Sequence, residues 1–221
     1  MNFGKTIIFG DSYSTFEGYI PEGYACHYFL LPKNEVDVTR VCETWWHKLM
    51  TETEGELVQN NSWSGSTIGY TAYGGRDCSG DSSFIYRFEK LLSEGFFEKN
   101  KIDTLFVFGA TNDSWCGAPL GEETYGEITR EELFSVRPAI CHFFKRISEA
   151  LPEVRKVCVI NTELKEEVAS CLSHAADRYG FEKVELSDID KLAGHPTITK
   201  PFKPESGFGR RIFHYPSSKY S

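Results

Sequence analysis

Five short apolar runs, each followed by a stretch with different periodicity, constrain this chain more than any other feature. They fall at residues 6–9, 56–59, 104–108, 156–160 and 183–186, the second being the weakest. Each has the length and β-branched or aromatic content of a buried strand. Between them lie helical patterns. Thr44 can cap a helix through Trp45, Trp46, Leu49 and Met50, with Gly55 near its end. Ser82 or Ser83 can start another, with Phe84, Ile85, Phe88, Leu91 and Leu92 on its apolar side and Gly95 at its end. Thr129 and Glu132 have capping-box spacing and open a third helix, which Pro138 interrupts. A fourth covers residues 163–179 and stops at Gly180. A βαβαβαβαβ order in one domain implies a five-stranded parallel sheet with helices on both faces, a three-layer α/β/α sandwich.

Sites in such folds lie outside the carboxyl ends of the strands. The residues just past each strand are therefore the ones that matter. After the first strand comes Gly10-Asp11-Ser12-Tyr13-Ser14, and after the second Asn60-Asn61-Ser62-Trp63-Ser64-Gly65-Ser66. The third is followed by Gly109-Ala110-Thr111-Asn112-Asp113, and the fifth by Asp188-Ile189-Asp190 and Gly194-His195-Pro196. Small and catalytic-type residues thus recur at four strand ends.

Charge and cysteine usage exclude several classes. The net charge is -8, and lysines and arginines form no cluster beyond pairs such as Arg210-Arg211. A nucleic-acid partner needs a concentrated cationic face, and an anionic membrane surface attracts one, so neither is expected. The seven cysteines are odd in number and none stand as C-x-x-C. They read as reduced thiols, several of them in the core, rather than a disulfide framework or a zinc site. The apolar run after Met1 is too short for a signal peptide, and no run approaches a membrane span. The expectation is a cytoplasmic protein.

Taken in order, the strand-end motifs resemble those of SGNH hydrolases, the GDSL esterases and lipases. Gly10-Asp11-Ser12 matches the first block, Gly65 the second, Gly109 to Asp113 the third, and His195-Pro196 the fifth. The resemblance runs from residue 6 to about 197, and the stretch from Gly10 through Trp115 is similar to a bacterial subgroup of the family. It implies a flavodoxin-like sheet and hydrolysis of a carboxylic ester through an acyl-enzyme. Ser12 is the implied nucleophile and His195 its base. The oxyanion donors it implies are the backbone N–H of Ser12, the backbone N–H of Gly65 and the side chain of Asn112. These roles match the chemistry, because a serine hydroxyl needs a neighbouring base and a tetrahedral intermediate needs fixed donors.

The chain departs from the family pattern in two places. The family carries an Asp three residues before its His, where this chain has Leu192. Asp190, Asp188 or a backbone carbonyl must orient His195 instead, and Asp190 is preferred. The segment from about 198 to 221 holds Pro201, Pro204, Gly207, Gly209 and Pro216, which discourage a closing helix. It reads as an atypical tail.

Blander readings apply to other residues. Asp11 is expected to cap the turn after the first strand, and Asp113 to tie its loop. Aromatics make up 14% of the chain. Tyr13, Trp63 and Trp115 adjoin the motif blocks, and the loop of residues 14–42 carries Phe16, Tyr19, Tyr24, Tyr28 and Phe29. These rings either fill a satellite core or wall a substrate cleft. The expected substrate is a short-chain or carbohydrate O-acetyl ester, because flat rings suit sugar faces. A thioesterase or lysophospholipase is the enzyme alternative. A non-catalytic ligand-binding protein on the same scaffold is the alternative of another class, although no Gly-rich phosphate loop follows the first strand. No metal or organic cofactor is implied.

Overall fold

The structure, a computed structural model, describes residues 2–31, 36 and 38–186. Its sheet has five parallel strands: β1 (Lys5–Gly10), β2 (Glu56–Ser62), β3 (Thr104–Phe108), β4 (Arg155–Ile160) and β5 (Glu182–Glu185). They lie in the order β2-β1-β3-β4-β5. Among the described residues the α-helical segments are α1 (Trp45–Thr53), α2 (Phe84–Ser93), α3 (Phe96–Lys99), α4 (Thr111–Trp115), α5 (Val136–Ala150) and α6 (Glu166–Arg178). The α/β class, the parallel sheet and the flavodoxin-like order are as the sequence implies.

Side chains alternate across the sheet, as a pleated strand requires. Ile7, Phe9, Leu105, Val107, Cys158 and Ile160 face a core shared with α2, α5 and α6. Ile8, Phe106, Phe108, Val157 and Val159 face a second core, shared with Trp45, Trp46, Leu49 and Met50 of α1. Phe16, Tyr28 and Val38, on the long loop after β1, complete that second core. Burial of both sheet faces is why β1, β3 and β4 read as continuous apolar runs, while the edge strands β2 and β5 do not.

Strand order reverses at β1, whose neighbours are β2 and β3. Gly10, its last residue, pairs with Ser62 on one side and Phe108 on the other. A Cβ at Gly10 would lie about 2.5 Å from Ser14 Cβ, Ser14 Oγ and Ser62 Oγ. Those serines are themselves held. Trp45 Nε1 donates to Ser14 Oγ at 3.1 Å, and Ser62 Oγ donates to Asn60 Oδ1 at 2.5 Å. Trp46 Nε1 and Asn60 Nδ2 both donate to Ser14 O, at 2.9 and 2.7 Å.

Three local expectations change. The Thr129–Glu132 capping box forms, with Thr129 N donating to Glu132 Oε2 at 2.7 Å and Glu132 N to Thr129 Oγ1 at 3.4 Å. It caps only a 3₁₀ turn, Glu132–Phe134, after which Ser135 is extended and α5 begins afresh. Pro138 therefore lies in the first turn of α5 and does not interrupt it, since its missing N–H would have had no partner within the helix. The sequence also gave no sign of α4, a five-residue helix entered through Ala110 at φ 71°. Finally, β2 runs on to Ser62, past the apolar run, because Asn60, Asn61 and Ser62 are buried against β1.

All seven cysteines are free thiols, and Cys78, Cys116, Cys141, Cys158 and Cys171 are buried. Among the described residues, no helix is long and apolar enough to cross a membrane.

Candidate active site

Ser12 leaves β1 at the switch point, on a 3₁₀ turn, Ser12–Ser14. Asp11 caps that turn as expected, its Oδ1 accepting from Tyr13 N at 3.2 Å. Thr15 closes it, its N and Oγ1 donating to Ser12 O at 3.2 and 2.9 Å. Asp11 N donates to Phe108 O at 3.3 Å, which fastens the turn to β3. Asp11 is fully buried, and its Oδ2 has no hydrogen-bond partner among the described residues. Burial pushes its carboxyl up to about 7, although the Tyr13 N–H, the neighbouring Thr111 hydroxyl and the Arg87 charge pull it down.

The second block is pinned to the first. Trp63 N donates to Gly10 O at 3.1 Å, and Ser64 N to Ala25 O at 2.8 Å. Ser66 N and Oγ both donate to Trp63 O, at 3.2 and 2.7 Å. Gly65 lies between these fixed points at φ 80°, exposed and with no atom of the described residues within 4 Å of where a Cβ would sit. The left-handed backbone there favours glycine.

The third block follows β3. Gly109 packs under the Phe84 ring, leaving no room for a Cβ, and α4 then presents Asn112 and Asp113 inward. Asn112 Nδ2 donates to Ser66 O at 2.9 Å, which brings block three against block two. The carboxylate of Asp113 accepts from Ile68 N at 3.0 and 2.9 Å and from Gly69 N at 3.2 Å. Asp113 thus ties loops, as its reading from sequence held. Its burial pushes its carboxyl up to about 6.

The structure therefore brings Ser12, Gly65 and Asn112 to one end of three adjacent strands. The N–H groups there without an acceptor among the described residues include Ser12 N–H, Gly65 N–H and the second amide N–H of Asn112. His195, Asp190 and Asp188 lie outside the described residues.

The aromatic residues divide. Phe16 and Tyr28 are core, and Tyr19 rests on Trp46. Tyr13 is half-buried and stacks on Phe108, ring centroids 6.0 Å apart. Trp63 packs on Tyr24 at 4.4 Å, next to Gly65. Trp115 is 56% exposed. Its Nε1 donates to Glu163 O at 2.9 Å and Lys165 Nζ sits 4.9 Å above its ring, so an exposed indole is held in a fixed plane.

One residue escaped the reading of the sequence. Arg87, on α2, is 0% exposed and bonds Gly10 O, Asn61, Ser66 Oγ and Ser82 O. Its position was a usable signal: Phe84, Arg87, Phe88 and Leu91 stand at i, i+3, i+4 and i+7, so the arginine occupies the apolar stripe. Burial pushes its guanidinium down to about 9, which still leaves it charged at neutral pH. Among the described residues, no three or more His, Cys, Asp or Glu side chains are grouped to hold a metal ion.

A doubly wound sheet that delivers a serine and a set of fixed loop donors to its switch point defines a class, the ester-hydrolysing serine hydrolases. A family model described as GDSL-like Lipase/Acylhydrolase matches residues 4–201, and the chain belongs to that family. It is similar to a protein assigned as a GDSL-like lipase from Bacteroides ovatus, with 41% identity, a TM-score of 0.77, and 89% of this chain and 91% of that one covered. A protein so assigned from Bacteroides uniformis gives 40% identity, a TM-score of 0.75 and 87% coverage of both chains. A family two carbohydrate esterase from Cellvibrio japonicus shares the fold at 13% identity and a TM-score of 0.55, over 96% of this chain and 60% of that one. No curated protein matches the chain.

Proposed function

We propose that Ser12 is the nucleophile of an acyl-enzyme mechanism acting on short-chain or carbohydrate O-acetyl esters. The observation that carries this reading is that Ser12 N–H, Gly65 N–H and one amide N–H of Asn112, at the ends of three adjacent strands, have no acceptor among the described residues. In the scheme, His195, oriented by Asp190, takes the Ser12 proton as Oγ attacks the ester carbonyl. The carbonyl oxygen becomes an oxyanion and accepts from Ser12 N, Gly65 N and Asn112 Nδ2. Collapse breaks the ester C–O bond, and His195 returns the proton to the leaving alcohol. Water, deprotonated by the same histidine, then attacks the acyl-serine and regenerates the hydroxyl. The scheme needs no cofactor.

The substrate class rests on the rim. The fixed Trp115 indole and the Tyr24–Trp63 pair offer flat faces to a sugar, and the adjoining blocks hold few aliphatic side chains. The alternative, a lysophospholipase or thioesterase, has one foothold: Leu30 and Leu31, 64% and 83% exposed on the long loop after β1. The test of the nucleophile is a fluorophosphonate probe. It should label the wild type at Ser12 and leave Ser12→Ala unlabelled; labelling that survives in the variant removes Ser12 from the mechanism.

A further inference from the structure

Arg87 presents a physical oddity. Its guanidinium is wholly buried, and no carboxylate lies within ion-pair distance among the described residues. An apolar side chain at the same place in the α2 stripe would fill the space without desolvating a charge, and such replacements often stabilise. Nothing in the packing of α2 against the sheet calls for a cation.

Every N–H of the guanidinium is nevertheless satisfied, and the acceptors are specific. Nε donates to Ser82 O at 3.0 Å. Nη1 donates to Asn61 O and, at 3.0 Å, to Asn61 Oδ1. Nη2 donates to Gly10 O at 3.3 Å and Ser66 Oγ at 3.1 Å. One donor at Nε and two at each Nη account for all five N–H groups of an arginine. The Phe84 ring covers the guanidinium face at 4.4 Å. Four of the five bonds end on the first two motif blocks. Gly10 O is the carbonyl two residues before Ser12. Ser66 is the residue after Gly65, and its own carbonyl orients Asn112 Nδ2.

We propose that Arg87 and Ser66 form a buried brace that sets the spacing of the three oxyanion donors, Ser12 N–H, Gly65 N–H and the Asn112 amide. Arg87 touches no reacting atom, so it is a positioning residue. The proposal rests on the reading of Ser12, Gly65 and Asn112 given above. A planar fork is needed because it must reach separate loops in fixed directions at once, which a lysine ammonium cannot do. Donor placement matters at this scale, because a displacement of about 1 Å can cost on the order of 100-fold in rate.

The test compares wild type, Arg87→Lys, Ser66→Ala and Ser12→Ala, with active sites counted by end-point fluorophosphonate titration. Steady-state rates on p-nitrophenyl acetate are then expressed per titrated site, so misfolded protein does not count. Arg87→Lys should lower kcat about 10- to 100-fold with KM within about threefold, as expected when only transition-state contacts suffer. Ser66→Ala keeps the cation and the helix but removes the hydroxyl link, and should lose about 3- to 10-fold in kcat. A purely structural arginine would reduce the titratable fraction and the melting temperature and leave kcat per site unchanged. That result in Arg87→Lys overturns the brace; if Arg87→Lys yields no titratable sites, an unchanged kcat per site in Ser66→Ala overturns it instead. Failure of the underlying reading looks different, because Ser12→Ala would then keep its label or its activity whatever happens at Arg87, and the brace would fall with it.

Discussion

Asn112 spends one amide N–H on Ser66 O, and that bond keeps the amide from rotating. On the proposed mechanism the other N–H is held ready before substrate arrives, which is where fixed donors gain over water. Asn112→Ala should therefore lower kcat about 10²- to 10³-fold and leave KM nearly unchanged, by steady-state kinetics on p-nitrophenyl acetate. A pure KM effect would instead make Asn112 a substrate-positioning residue. Asp11 supports a different prediction. Its buried carboxyl, raised to about 7, binds a proton more tightly folded than unfolded. The stability it contributes is complete below about pH 4 and is lost as pH climbs through 7. Asp11→Asn keeps the oxygen that accepts from Tyr13 N and cannot ionise. The stability of the variant relative to wild type should therefore rise between pH 4 and 7, by at most roughly 1.4 kcal/mol per unit, and level off above. Urea unfolding across that range checks this, and parallel pH curves for the two proteins would refute it.

Among the elements, α1 ends on a residue that suits its place poorly. Glu54, exposed and just past the helix, has φ 53° and holds the left-handed cap while Gly55 follows it. Glu54→Gly should stabilise the protein by roughly 0.5–1 kcal/mol, seen as a higher melting temperature, because glycine adopts that conformation without the Cβ penalty. The sequence puts Gly55 near the end of the helix, which stops at Thr53. It could not say which of two adjacent positions turns left-handed, since that depends on how the chain must enter β2. The same limit explains α5. Capping-box spacing is a local signal, and it was honoured locally by a single 3₁₀ turn. Where α5 starts was decided by the loop before it: Val136 N and Arg137 N donate to Pro119 O and Leu120 O, both at 2.9 Å. Helix α4 was illegible because Ala110 gives no sign that it will adopt positive φ.

At the scale of the molecule, the blocks after β1 and β3 were legible because each follows a strand buried on both faces, and such strands are easy to recognise. Arg87 was not, because a charged residue in a helix is usually solvated, and only the register of the apolar stripe exposes it. The rim was only half legible, since a ring's place in core or cleft depends on how a long loop folds back. The outcome, with Phe16 and Tyr28 inside and Trp115 outside, bears on substrate preference. Acetyl esters should exceed octanoyl esters in kcat/KM, and Trp115→Ala should hurt acetylated sugars far more than p-nitrophenyl acetate. Faster turnover of octanoyl esters would end the acetylesterase reading and promote the lysophospholipase one through Leu30 and Leu31.

The crowding around Gly10 also limits how this protein can vary by descent. Alanine at 10 collides with Ser14 Cβ as well as with the Ser14 and Ser62 hydroxyls, so losing both hydroxyls would still not make room for it. Shrinking Ser14 first leaves the Trp45 indole N–H without its acceptor, and shrinking Ser62 first leaves Asn60 Oδ1 without its donor. Each order of single steps therefore passes through a handicapped ancestor. A side chain at 10 therefore demands changes at 14 and 62, positions far apart in sequence, before it can be accepted.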